Sequence, residues 1–184
     1  MRIRSKKMLT EGEMRTLVQA SKDYPRHYTW TRTLLWLGLR PSELVAIRCA
    51  DVDIENRILK ICGSARIQDR FLEIPGCLLK DFYSETRGKK PEDFLFYGRD
   101  GKVHKRTIQK LFQKLKSQTG IEITSPIIRK TIAVRMDSYG VPIKEIGSYL
   151  GCKTLRAIYK LTGKSAKTTP QKLFSIEKII DLET

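Results

Sequence analysis

The apolar residues of this 184-residue chain change their period twice, and that constrains the fold more than any other feature. From 10 to 47 they recur at helical intervals. Thr10-Glu11-Gly12-Glu13 is a capping-box pattern that opens an amphipathic segment running to about residue 23. Pro25 suits the first position of a second helix, where Trp30, Leu34, Leu35 and Leu37 give a buried face up to Gly38. Pro41 starts a third, with Leu44, Val45 and Ile47 apolar. The spacing then becomes short and β-like: Val52 and Ile54, next Ile58, Leu59 and Ile61, next Phe71, Leu72 and Ile74. Glu55-Asn56 and Gly63-Ser64-Ala65 supply turn material between the runs, and Pro75-Gly76 ends them. The prediction is an α+β fold, mainly α, with one small antiparallel sheet of three strands.

Helical spacing returns beyond the sheet. A helix is expected over about 77 to 86, then a loop at Arg87-Gly88-Lys89-Lys90-Pro91 and a short buried segment, Phe94-Leu95-Phe96-Tyr97. Over 105 to 117, Ile108, Leu111, Phe112 and Leu115 recur at i, i+3, i+4, i+7, and the opposite face is lysine-rich. Further helices are expected at about 126 to 138, 142 to 150 and 154 to 161, interrupted by Gly140 and by Gly151-Cys152-Lys153. A polar, Thr/Lys-rich linker leads to a last helix over about 170 to 182. The expected organisation is a main domain over 1–164, followed by a linker and helix over 165–184.

Charge narrows the choice of partner. Lys and Arg number 36 against 20 Asp and Glu, a net charge of +16, which on a small domain points to a polyanion, most often nucleic acid. The basic residues thicken from His104 to Lys116, including Lys105, Arg106 and Lys110, and again from Lys153 to Lys172. Binding to a membrane surface would need a basic helix with a wide Trp/Phe/Leu face, and none is present. No run of 18 apolar residues lacks a charge, and the first seven residues have no apolar core behind them, so neither a membrane span nor a secretory signal is expected. Cys49, Cys62, Cys77 and Cys152 lie far apart without a C-x-x-C, and His27 and His104 are the only histidines. This scatter argues against zinc and for buried or incidental thiols in a reducing compartment; with a nucleic-acid partner, the expected location is cytoplasmic and nucleoid-associated. An RNA-binding alternative predicts exposed aromatics on the sheet, where only Phe71 is a candidate.

Four pieces in order carry a resemblance. They are Gly38-Leu39-Arg40-Pro41-Ser42-Glu43-Leu44, the three-stranded sheet with the stretch from Gly101 to Thr107 beyond it, Ser125-Pro126-Ile127-Ile128-Arg129-Lys130-Thr131, and Tyr149-Leu150-Gly151-Cys152 followed by Tyr159. Together they resemble the catalytic domain of the tyrosine recombinases, the phage integrase family, whose motifs read G-L-R-x-S-E-L, H-x-x-R and L-G-H/W. The resemblance is to divergent members, including archaeal and archaeal-virus types. It covers nearly the whole chain but not the family's usual N-terminal core-binding domain, which clamps the other face of DNA.

The resemblance implies a reaction. A tyrosine hydroxyl attacks a DNA phosphodiester and leaves a 3′-phosphotyrosyl link and a free 5′-hydroxyl, which a second strand's 5′-hydroxyl later reverses. No metal, nucleotide or other cofactor is implied. Tyr159 is the expected nucleophile, whereas Tyr149 shares an apolar stripe with Ile146 and Leu150 and reads as core. Arg40 and Arg129 are the expected phosphate clamps, since a guanidinium presents a permanently charged fork of donors. A salt bridge to Glu43 is the competing role for Arg40. Arg129, among Ile127, Ile128 and Ile132, should have a fixed anionic partner.

The proton-transfer positions depart from the family. Pro126 or Ile127 stands where the histidine of H-x-x-R would be, and Cys152 replaces the L-G-H/W histidine or tryptophan. Lys130 and Lys153 adjoin these gaps and are candidates to fill them. The turn over 63–69 carries Arg66 where the family has a lysine acid; Lys60, on the preceding strand, is misplaced for the role. The interval from Cys152 to Tyr159 is two residues shorter than usual. The expected site is therefore Tyr159, Arg40, Arg129, Arg66, Cys152 and Lys130, with DNA contacts from Lys105, Arg106, Lys110 and Lys153. The expected function is site-specific cleavage and rejoining of double-stranded DNA in integration or excision of a mobile element. The alternative is a catalytically impaired DNA-binding relative. The last helix is expected to dock on a neighbouring subunit when copies assemble on DNA.

Overall fold

Thr10 begins the first helix as its sequence predicts. Its hydroxyl accepts from the Glu13 amide at 3.2 Å, and the Glu13 carboxylate accepts from the Thr10 amide at 2.9 Å. This reciprocal cap opens α1 (Glu11–Ser21) in a computed structural model that describes residues 8–63, 69–98 and 101–163. Arg66, the linker and the helix expected over 170–182 lie outside the described residues.

The second helix, α2 (Pro25–Leu37), is buried along its whole second half, from Thr29 to Leu37. A polar side chain buried there has to find its partner within the protein, as all but Trp30 Nε1 and Thr31 Oγ1 do. Thr33 does so by donating to the Thr29 carbonyl at 2.8 Å, and Arg32 by an ion pair with Asp81 at 2.6 Å. Gly38 ends α2 in the left-handed conformation with φ +62°. A Cβ there would stand 2.8 Å from Ile132 Cδ1 and 3.0 Å from Leu150 Cδ2, so the close approach requires glycine. The short α3 (Pro41–Leu44) follows.

The three predicted strands form an antiparallel sheet in the order β1 (Val52–Asp53), β2 (Ile58–Ile61), β3 (Arg70–Glu73). One detail differs from the sequence reading. Phe71 belongs to an apolar run but points outward and is 70% exposed, while Arg70 and Leu72 take the inward positions. Lys60 pairs with Phe71 on that same outer face. Phe71 is thus the one aromatic there, beside Ile58, Lys60 and Glu73, which is not the multi-ring platform that RNA stacking requires.

α4 (Gly76–Thr86) leads to Leu95 and Phe96, both buried as expected. A second, two-stranded pair, β4 (Tyr97–Gly98) with β5 (Gly101–Lys102), was not predicted, because two-residue strands are too short to show a period. α5 (Lys105–Thr119) buries Ile108, Leu111, Phe112 and Leu115, and α6 (Ser125–Ser138), α7 (Ile143–Tyr149) and α8 (Leu155–Thr162) complete the described chain. Among the described residues, no helix is long and apolar enough to cross a membrane.

Candidate active site

The left-handed turn at Gly38 places Arg40 at the start of α3, with its backbone N–H donating to Glu43 Oε2 at 2.7 Å. Glu43 is 4% exposed, so this is a buried anchor and not the surface salt bridge weighed against a functional role. Two guanidiniums share its carboxylate. Arg40 Nη1 and Arg70 Nη1 each donate to Oε1 at 2.8 Å, and Arg70 Nη2 donates to Oε2 at 3.1 Å. Burial pushes the Glu43 carboxyl up, but hydrogen bonds and charge from Arg70 and Arg40 outweigh it and hold the group below its ordinary value.

The third guanidinium has different company. Arg129, on α6 and 6% exposed, donates to the Gly38 carbonyl at 2.9 Å and the Leu150 carbonyl at 2.8 Å, and it stands 3.6 Å from Cys152 Sγ. These acceptors are two carbonyls and a sulfur, not the fixed anion expected of a buried arginine. Burial first, then the nearby Arg40 charge, pull its pKa down to about 10, so it remains charged at neutral pH. Arg40 also reaches this turn, donating to the Leu150 and Gly151 carbonyls at 3.3 Å each. The end of α7 thus holds two arginine heads side by side.

Both open onto one cleft of about 480 Å³. Its walls include Arg40, Arg129, Lys130, Cys152 and Lys160, with Pro126 at the position of the H-x-x-R histidine and Leu161 from α8. Four cationic side chains around an open cleft suit an anion with several oxygens. Among the described residues, no group of three or more His, Cys, Asp or Glu is placed to hold a metal ion. Tyr159 is not on the cleft wall. Ala157, Lys160 and Leu161 share the face of α8 that is, and at about 100° per residue Tyr159 lies roughly 150° round from the middle of that face. Ile158 packs against Gly147, where a Cβ would meet it at 2.2 Å, which fixes the phase of α8 against α7.

A model of the phage integrase family matches residues 7–162. The chain belongs to that family. The tyrosine recombinase XerA of Thermococcus onnurineus (strain NA1) is 30% identical over 184 residues, covering 95% of this chain and 65% of that protein. A tyrosine recombinase of Pseudothermotoga lettingae is 30% identical over 80% of this chain and 52% of its own. Among solved structures, a XerA recombinase superposes with a TM-score of 0.76 at 23% identity, over 87% of this chain and 61% of that one. The XerH site-specific recombinase bound to its difH substrate gives 0.69 at 15% identity, over 84% and 49%. These likenesses show the mixed, mainly helical recombinase catalytic fold with its small antiparallel sheet. The chain spans less than two thirds of the length of these relatives.

Set in this family, the sequence-predicted residues other than Tyr159 and Arg66 divide into two groups. Arg40, Arg129, Cys152 and Lys130 come together at the cleft. Lys105, Arg106 and Lys110 line the exposed face of α5, and Lys153 is exposed beside Cys152. A second depression of about 450 Å³, walled by Gln109, Gln113 and Lys116 of α5, shares Pro41, Ser125 and Pro126 with the cleft and so joins the two surfaces. Lys114 turns elsewhere, with Nζ 3.2 Å from the centre of the Tyr24 ring. Tyr149 packs against the core, in keeping with its apolar stripe; its hydroxyl lies 3.5 Å from the Trp36 carbonyl and burial raises its pKa. Arg70 and Lys160 escaped the sequence reading. Arg70 carried a readable signal, since it alternates with Leu72 and Ile74 on the inward side of a strand, where an arginine needs a partner.

Proposed function

We propose that this chain is the catalytic part of a site-specific DNA recombinase that cuts and rejoins strands through a 3′-phosphotyrosyl link on Tyr159. The carrying observation is Arg129, a buried guanidinium held by neutral acceptors beside Arg40 at a cationic cleft. A scissile phosphate in the cleft supplies the anion that this arrangement lacks. Arg40 and Arg129 then donate to its non-bridging oxygens and stabilise the charge that builds on them. The Tyr159 oxygen bonds to phosphorus as its proton passes to solvent water, the bond from phosphorus to the 5′ oxygen breaks, and that oxygen takes up a proton. Lys130, which lines the cleft, is our candidate to give it, Cys152 supports the Arg129 side, and Arg66, outside the described residues, is the second candidate to serve the leaving oxygen. Lys105, Arg106, Lys110 and Lys153 hold the flanking phosphates.

Tyr159 reaches the phosphate only if α8 turns about its axis, or if the tyrosine enters the cleft of a neighbouring copy on DNA. That geometry, together with Pro126 in place of a proton-transferring residue, favours the second reading, a DNA-binding relative with impaired catalysis. Covalent trapping separates the two. Wild type is incubated with a nicked duplex carrying the flanks of its own gene, and adducts are sought on a denaturing gel. An adduct lost in Tyr159→Phe is the result expected of the recombinase. Salt-sensitive binding without any adduct is the result expected of the impaired relative.

A further inference from the structure

Arg70 cannot touch DNA itself. Its side chain is 5% exposed, and it is fixed on three sides: Nε donates to the Tyr149 carbonyl at 2.7 Å, and Nη1 and Nη2 take the two oxygens of Glu43. Arg40 bonds the same carboxylate through Nη1 alone, its Nη2 reaching the Gly151 carbonyl at 3.3 Å with 26% of the side chain exposed toward the cleft. The two guanidiniums therefore compete for one carboxylate, and Arg70 occupies the fork position. Gly151 lets both lie against the backbone. A Cβ there would stand 2.6 Å from Arg70 Nη1 and 3.4 Å from Arg40 Nη1, and its φ is +63°.

We infer that Arg70 is a positioning residue: by filling the Glu43 fork it keeps Arg40 from closing onto that carboxylate and holds the Nη2 edge of Arg40 open to a phosphate. The inference rests on the cleft being the phosphate site. Without Arg70, the buried Glu43 charge keeps Arg40 as its strongest partner, and a bidentate pair forms that turns the guanidinium inward. Arg70 then acts on the phosphate through Arg40, without contact of its own.

The test is a double-mutant cycle on DNA affinity, measured with the full chain and a labelled duplex of its gene's flanks at low fixed salt. Arg40→Ala should weaken binding about tenfold in the wild-type background, the worth of a charge-assisted hydrogen bond. In the Arg70→Met background the same Arg40→Ala change should alter affinity less than about twofold, because Arg40 is already withdrawn. Adding Glu43→Gln to Arg70→Met restores the wild-type net charge and removes the carboxylate that captures Arg40. Affinity and its sensitivity to Arg40→Ala should both return. Equal effects of Arg40→Ala in the two backgrounds, or no recovery with Glu43→Gln, would overturn the inference and leave Arg70 a packing residue. No effect of Arg40→Ala even in wild type would instead remove the phosphate-site reading on which it stands. Should Arg70→Met fail to melt cooperatively, Arg70→Lys runs the same cycle, since an ammonium fills only one side of the fork and should give an intermediate coupling.

Discussion

At the scale of single residues, the site is an arrangement of too much positive charge around one buried carboxylate. Glu43 is the group on which Arg40 and Arg70 both depend. A carboxylate whose folded pKa lies below its unfolded one stabilises the fold above the ordinary value, here 4.5, and loses that contribution as pH falls toward the folded value. Wild type should therefore lose thermal stability steeply below about pH 4.5, while Glu43→Gln, less stable at neutral pH by about 3 kcal/mol, should show a flatter profile there. Melting curves of both proteins across the acid range check this, and parallel profiles would count against it. Gly151→Ala should cost about 1–3 kcal/mol from its left-handed backbone, and more where the new methyl displaces Arg70. Cys152 stands at 3.6 Å from Arg129 as a weak partner. Replacing it, Cys152→His, puts the residue of the family motif there and should raise the rate of adduct formation about a hundredfold or more, by the usual worth of a proton-transfer group. An unchanged or lower rate would mean that the sulfur side of the cleft has no such role.

At the scale of elements, most of the fold was legible because most elements have a strong local signature. Capping at Thr10, Pro25 at a helix start and the i, i+3, i+4, i+7 stripe of α5 each predict an element that is present. What stayed illegible depends on packing at a distance. Arg70 meets Glu43 from a strand 27 positions away, and no periodicity announces that pairing beyond the arginine's inward position. The phase of α8 is set by Ile158 seating on Gly147, so a tyrosine chosen by its distance from the Leu150-Gly151 turn lands on the far face. The two residues missing between Cys152 and Tyr159 amount to roughly 200° of helix. Leu161 occupies the position that the longer interval would give, and it lies on the cleft. Leu161→Tyr in a Tyr159→Phe background should therefore regain a covalent adduct if the cleft cleaves its own phosphate. Failure of that variant, alongside an active wild type, would favour movement of α8 or donation of Tyr159 to a neighbouring copy.

At the scale of the molecule, the net charge of +16 is distributed so that the exposed basic face of α5 and the arginine cleft meet across Pro41, Ser125 and Pro126. Binding should be dominated by phosphates and fall steeply with salt. Neutralising Lys105, Arg106 and Lys110 together should lower the slope of log affinity against log salt by about 2.7, or 0.9 for each lost contact. An unchanged slope would place the DNA on another face. The central claim is that Arg40 and Arg129 receive the scissile phosphate. A structure of the protein on a nicked duplex carrying its target site tests it most directly. The account predicts non-bridging oxygens of the phosphate at about 2.7–2.9 Å from Arg40 Nη2 and the Arg129 guanidinium. A duplex lying across α5 with the cleft free of phosphate would contradict it.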